Sequence, residues 1–386
     1  MRFFRSPQHI ALLCILVFLT SCREEFFPEI ETQATGILVV EGYLDSEGIS
    51  SDLKLSYTAP ITYDDVPAVV RGASLQLISN SGDQYSFIEK GEGVYSFQQD
   101  LDESQTYYLK IQLINGEEFY SDPIQPIITP PILEAGYARD EEGVEIFVNA
   151  KGDENADDFL WTFEETWIIR PRIRSTYIFD KDLNAVRTRT EEERNDLCYR
   201  TLESPDILLE TSSRFENQVV FRQTISEIPT NDQRLAEKYS VLISQKALDS
   251  KAVEFWEILK KNSLDLGSFF SPLPSIISGN IHSIDGASGA VGYVSIGVVR
   301  QERIFIENNE VQPWYFSDPE FDDCFISEEA LYIGTSAFYS TFNGSGVAPV
   351  RELIEGTSIV AYYYAPTRCV DCTLYGDKEK PEFWIE

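Results

Sequence analysis

From residue 37 onward the chain repeats one pattern. Short runs of alternating side chains are each ended by turn formers. Residues 37–43, 53–57, 73–78, 85–88, 93–97, 106–111 and 118–120 are such runs. Ser79-Asn80-Ser81-Gly82-Asp83, Lys90-Gly91-Glu92-Gly93 and Asn115-Gly116 separate several of them. A period of two places alternate side chains on opposite faces, so each run can bury one face only by packing sheet on sheet. Turns every 8–12 residues or so are the signature of a β-sandwich, and Asn-Gly marks a tight hairpin. The expected fold is therefore mainly β, with an immunoglobulin-like sandwich over residues 35–128. Pro123, Pro126, Pro130 and Pro131 stiffen its exit as a short linker.

Residues 132–386 read as a larger β-rich domain with few helices. Strand-like runs occur at 144–148, 159–164, 291–299, 303–307 and 359–364. One helix is predicted after Asp249 or Ser250, either of which can cap it. Ala252, Phe255, Trp256 and Leu259 form its apolar stripe. Lys260 and Lys261 suit its C-terminal dipole, and Gly267 suits the turn beyond. Residues 170–194 carry Arg170, Arg172, Arg174, Arg187, Arg189 and Arg194 between acids. This reads as a solvated hairpin or loop laced with ion pairs, or else as a docking surface for an acidic partner. No internal repeat is visible.

The first residues carry an address. Arg2 and Arg5 precede an apolar core from Ile10 to Leu19 that is too short to cross a bilayer, which needs roughly 20 residues. Residues 1–21 are expected to be a cleaved signal peptide. Leu19-Thr20-Ser21-Cys22 resembles a bacterial lipobox, which makes Cys22 the lipidated residue and 22–34 a tether. Buried acyl chains contribute about 0.8 kcal/mol per CH2, so more than one chain anchors stably. Arg23, Glu24 and Glu25 resemble the surface-export signal of Bacteroidetes-type lipoproteins, which implies an outer-membrane protein facing the cell exterior.

Export bears on the remaining cysteines. Cys198, Cys324, Cys369 and Cys372 are even in number and suit two disulfides in an oxidising compartment. The favoured pairing joins Cys369 and Cys372 to the two distant cysteines, pinning the C-terminal tail. The rivals are a four-cysteine zinc site, which wants a second close pair, and a redox Cys-x-x-Cys, which wants a strand-to-helix setting.

The chain has 64 acidic and 31 basic residues and a net charge of -33, which disfavours nucleic acid and anionic lipid head groups as partners. His282 is the one histidine beyond the signal, and no Gly-x-Ser-x-Gly elbow lies near it. No P-loop or dinucleotide fingerprint appears. Nothing in the spacing selects a glycosidase-like carboxylate pair. The acid clusters 153–158 and 318–323 lack the spacing of a calcium loop. The reading is of a protein that is not an enzyme and carries no metal or cofactor.

The later sequence also resembles a family. Tyr239-Ser240-Val241-Leu242-Ile243-Ser244-Gln245 leads into Leu248-Asp249-Ser250-Lys251-Ala252 and Phe255-Trp256. Gly267-Ser268-Phe269-Phe270, Gly279-Asn280-Ile281, Val291-Gly292-Tyr293 and Arg303-Ile304-Phe305-Ile306 follow. Cys369-Val370-Asp371-Cys372 and Lys380-Pro381-Glu382-Phe383-Trp384 close the series, and Val39-Val40-Glu41-Gly42-Tyr43-Leu44 and Thr58-Ala59-Pro60 fit at the start. Together these resemble domain-of-unknown-function family 4249, exported lipoproteins of Bacteroidetes-type bacteria. The resemblance implies a setting like that of lipoproteins accompanying TonB-dependent transporters, and it supplies no catalytic residues. The expected role is an accessory or capping subunit on an outer-membrane β-barrel transporter in nutrient capture. The alternative is a glycan-binding or cell-surface assembly or adhesion lipoprotein. A glycan binder needs exposed aromatics, so burial of Trp161, Trp167 and Trp314 would count against it.

Overall fold

The computed structural model describes residues 36–59, 67–265, 279–284, 286, 289–344 and 346–384. The expected signal peptide, Cys22 and Arg23-Glu24-Glu25, and Gly267, lie outside the described residues.

The fold is mainly β and begins with an immunoglobulin-like sandwich. In one sheet Leu38–Asp45 pairs with Ser51–Tyr57, which pairs with Val94–Phe97 and then Ile88–Gly91. In the other, Glu118–Ser121, Tyr107–Gln112, Ser74–Ser79 and Gln84–Ser86 lie in that order. This is the A-B-E-D and G-F-C-C′ arrangement of immunoglobulin domains. Alternation drives it. Along Tyr107–Gln112 the side chains of Tyr107, Leu109 and Ile111 are fully buried while Tyr108 and Gln112 face out. Each such burial contributes roughly 1.5–3 kcal/mol. The Tyr107 hydroxyl donates to the Asp102 carbonyl at 3.0 Å, fixing the corner before its strand. The run expected at 85–88 changes sheets instead of staying in one. Gln84–Ser86 pairs with Ser74–Ser79, and Ile88–Gly91 pairs with Val94–Phe97.

A second sandwich repeats the order. Ile132–Arg139, Gly143–Lys151 and Val219–Pro229 make its smaller sheet. Arg300–Glu307, Lys238–Ala247, Asp158–Ile169 and Cys198–Glu203 make the larger, with Leu208–Thr211 also pairing to Asp158–Ile169. Val144, Ile146, Phe159, Trp161, Tyr239, Val241 and Ile243 fill the space between. The sequence shows no repeat because two sandwiches need the same alternation, not the same residues.

The expected division at 128–132 needs correction. Three strands between residues 281 and 297, expected in the second domain, complete the first sandwich. Ile281–Ser283 extends one sheet beside Glu118–Ser121. Ala290–Val291 and Ser295–Gly297 run parallel to Leu38–Asp45 on the other, where one continuous strand was expected over 291–299. The excursion arises between the last two strands of the second sandwich. It covers open edges of the first, which satisfies their backbone groups. Asn280 holds it: its side chain bonds both the N–H and the carbonyl of Val294 (2.9 and 2.8 Å). A Cβ on Gly292, at φ +147, would lie 2.0 Å from the Val40 carbonyl oxygen, so only glycine permits this approach.

The helix Ser250–Asp265 opens the same excursion, and Asp249 caps it by accepting N–H bonds from Lys251 and Ala252 (2.8 and 2.9 Å). Ala252 and Phe255 are buried against Tyr43, Leu160 and Tyr293, where the two sandwiches meet. A small C-terminal module follows, with a sheet of Leu331–Tyr332, Ser358–Pro366 and Val347–Glu355 and a helix, Ser336–Phe342. It packs Phe338, Phe342 and Tyr362 onto Phe179 of the hairpin Tyr177–Asp180 and Ala185–Thr188.

Candidate functional site

The larger sheet of the second sandwich has two different faces. Trp161 and Phe163 point into the core, and Thr162 and Glu164 point away from it. Lys238–Ala247 does the same, with Tyr239, Val241 and Ile243 inward and Leu242, Ser244 and Lys246 outward. The register sets the outward side chains beside each other. Thr162 lies opposite Ser244, Ser244 opposite Gln301, and Glu164 opposite Glu203. The outward face is therefore a polar ladder. Lys246 Nζ donates to Thr162 Oγ1 (3.2 Å) and Gln301 Nε2 to Ser244 Oγ (3.0 Å). Arg303 reaches Ser240 and Glu164 (3.1 and 3.3 Å).

This ladder does not face open solvent. The first sandwich stands over it, presenting Tyr43, Ser51, Asp52 and Lys54, and the two enclose a cleft of about 840 Å3. That volume suits a small-molecule ligand. The Tyr43 ring lies under Lys246, 5.8 Å from ring centroid to Nζ, and its hydroxyl donates to the Ala247 carbonyl (3.2 Å). Asp45 shapes the cleft wall without offering itself to a ligand. Its carboxylate accepts N–H bonds from Glu47, Ile49 and Val299 (3.0, 2.8 and 2.9 Å). Burial pushes the Lys246 ammonium down to about 8, against the opposing pull of Glu203. The Tyr43 hydroxyl is held well above its ordinary value, mainly by burial.

The expected linker ties the walls together. Ile127 exchanges backbone bonds with Ile296 and Val298 (3.0 Å each). The Thr129 hydroxyl accepts from the Ala247 N–H (2.9 Å). Gln245, fully buried, accepts from Trp161 Nε1 and donates to the Pro130 carbonyl, both at 2.9 Å. Arg300 joins the Thr129 carbonyl to the Glu47 carboxylate of the first sandwich (3.1 and 2.9 Å).

The residues singled out in the sequence lie elsewhere. All four cysteines are paired, Cys198 with Cys372 and Cys324 with Cys369, so each member of the Cys-x-x-Cys reaches a distant partner. Among the described residues no cysteine thiol is left free for a four-cysteine zinc site, and Cys369 and Cys372 are not bonded to each other as a redox Cys-x-x-Cys would be. The arginine-rich stretch is an ion-paired hairpin and loop. Arg187 bridges Asp180 and Glu193 (2.7 and 2.6 Å), Arg170 clasps Glu237, and Arg174 meets Asp196 at 2.7 Å. His282 is exposed beside Asp122 (3.1 Å). Asp153 closes a turn onto the N–H groups of Asn155 and Ala156. In the 318–323 cluster, Glu320 pairs with Arg200 and the carbonyls of Glu320 and Asp322 hold Arg368. Among the described residues no group of three His, Cys, Asp or Glu side chains is placed to hold a metal ion. Trp161, Trp167 and Trp314 are all buried, which counts against a glycan platform built on them. Sequence reasoning missed the cleft. Its one local signal is a set of polar side chains at alternate positions of strands whose other face is mostly apolar.

No curated protein matches the chain. A solved structure of the chicken interferon gamma receptor alpha chain aligns at 12% identity and a TM-score of 0.17, covering 55% of this chain and 91% of that one. The model of a family described as a domain of unknown function, DUF4249, matches residues 23–303, well over half the length, and the chain belongs to that family.

Proposed function

We propose that this protein is a surface-exposed outer-membrane lipoprotein that serves as an accessory subunit of a TonB-dependent transporter. Its cleft captures a small solute for the barrel. The observation that carries the capture role is the cleft itself, a polar floor from one sandwich closed by the wall of another. The two disulfides fit a chain that folds after export, in keeping with the signal peptide and the lipid on Cys22. The transporter partner rests on the setting implied by the family resemblance. No reaction is assigned to the chain. The glycan-binding alternative is disfavoured by the three buried tryptophans.

The test is purification from membranes through a C-terminal tag, followed by identification of the co-eluting proteins. A β-barrel transporter is expected in near-equal amount, and Cys22→Ala should release the protein from the membrane fraction. Recovery of the lipoprotein alone after mild solubilisation would overturn the accessory role.

A further inference from the structure

The interdomain cleft has a charge pattern that points to a ligand class, on the reading that it is a capture site. Its carboxylates are mostly spoken for. Glu164 is bonded by Arg303, Asp52 lies 3.7 Å from Lys90, Glu92 is paired with Arg71 at 2.7 Å, and Asp45 is consumed by backbone N–H groups. Among the described residues, Lys54 and Lys246 have no carboxylate within ion-pair distance, and Glu203 has no cation within it. The groups left for a ligand are thus two ammoniums, one from each sandwich, against one exposed carboxylate. Around them lie hydroxyl and amide groups from Thr162, Ser244 and Gln301. Hydroxyls both donate and accept, so this surface matches a polyol, while an ammonium matches a carboxylate.

We propose that the cleft binds a small hydroxylated carboxylate, the uronic acids being the simplest class, with its carboxylate on Lys246 and its hydroxyls on Thr162, Ser244 and Gln301. Thr162 is the present hydrogen-bond partner of Lys246 and hands it over to the ligand. Lys54 closes the anion from the facing wall. The ionised form of Lys246 is the one that binds, so affinity falls as pH rises through its value of about 8. The titratable groups facing it are Tyr43, Glu203 and Glu164, with Asp45, Asp52, Lys54 and Glu92 across the cleft.

The experiment is calorimetric titration of the full protein in mild detergent with glucuronate, galacturonate, glucose, glycylglycine and putrescine. In parallel, each solute is scored for shielding Lys246 from trinitrobenzenesulfonate, read by peptide mass. The uronates should bind about ten-fold or more tighter than glucose. Lys246→Gln should lose about that factor, and Lys246→Arg should retain most of the affinity. In the parent, affinity should fall about ten-fold between pH 7 and 9, while the Gln variant should be flat over that range. Thr162→Val, which keeps the shape of the strand residue, gives a second reading should the lysine variants fold poorly. Equal affinity for glucose and uronate, preference for putrescine, or unchanged binding by both Lys246→Gln and Thr162→Val overturns the ligand class and leaves the capture site standing. If no solute binds or shields Lys246, the ligand class and the capture reading fall together, independently of whether the barrel partner is recovered.

Discussion

The two disulfides differ in how much chain they close, and that difference is measurable. Cys198 and Cys372 are 174 residues apart, Cys324 and Cys369 only 45. The loop-closure entropy removed from the unfolded chain corresponds to about 5 kcal/mol for the larger loop and about 4 kcal/mol for the smaller at 25 °C. The smaller loop lies inside the larger. Closing it first trims the larger contribution by only about 0.3 kcal/mol, because the dependence on length is logarithmic. These are ceilings, since measured contributions run from about 0 to 5 kcal/mol. The perturbation is a pair of double variants, Cys198→Ala with Cys372→Ala, and Cys324→Ala with Cys369→Ala, so that no stray thiol remains. All five tryptophans, at 161, 167, 256, 314 and 384, lie beyond the strands that open the first sandwich, so their fluorescence reports the second sandwich and its appendages. In urea each variant should unfold earlier, by roughly 1–2 M, with the larger loop costing at least as much as the smaller. Midpoints within about 0.3 M of the parent for both variants would refute the reasoning. So would a cost for the smaller loop well above that for the larger.

Two further outcomes follow from buried and half-buried polar groups. Asn280→Ala leaves the N–H and carbonyl of Val294 without their side-chain partner, so it should cost about 2–4 kcal/mol and raise amide exchange at 280–297 above that of the strands around Trp161; unchanged exchange there would count against Asn280 as the clasp. Burial, helped by Glu320 and Asp322, raises the Asp318 carboxyl to about 6, so the folded chain keeps a proton that the unfolded chain sheds near 3.8. Its ionisation therefore destabilises the fold progressively as pH rises from about 4 through 6. Asp318→Asn should gain on the order of 1 kcal/mol near pH 7, after allowance for solvent screening, and nothing near pH 3, checked by thermal unfolding at both values.

What the sequence disclosed tracks the range of the interactions involved. The first sandwich was legible because alternation and Asn115-Gly116 are local signals, and the helix because Ala252, Phe255, Trp256 and Leu259 are spaced within it. The distant pairing of Cys369 and Cys372 was favoured as a way to pin the C-terminal tail, but which partner each takes has no local signal, because the partners lie 45 and 174 residues away. The excursion 280–297 was not legible. Ala290–Val291 and Ser295–Gly297 are too short to show a period, and their partners lie some 250 residues earlier. The cleft was hidden for a related reason. Thr162, Ser244, Lys246 and Gln301 each look like an ordinary outward strand residue, and only the facing first sandwich turns them into an enclosed surface.

The excursion also decides how the cleft behaves. Two sandwiches joined only by a proline-containing linker would swing, and a ligand between them would have to order them on binding. Here residues 127–130 are bonded to both modules, and 280–297 returns from the second to build edges of the first. The walls are thus set before any ligand arrives, so binding energy need not be spent on closure. The same arrangement reconciles an anion site with a chain of net charge -33. At physiological ionic strength exposed charges are screened beyond about 8 Å. Inside the cleft the field is set chiefly by the nearest groups, Lys54 and Lys246 against Glu203 and the hydrogen-bonded or ion-paired carboxylates of Asp45, Asp52, Glu92 and Glu164, rather than by the acidic exterior. The acidic exterior would slow the arrival of an anion, whereas the two lysines would govern how long it stays.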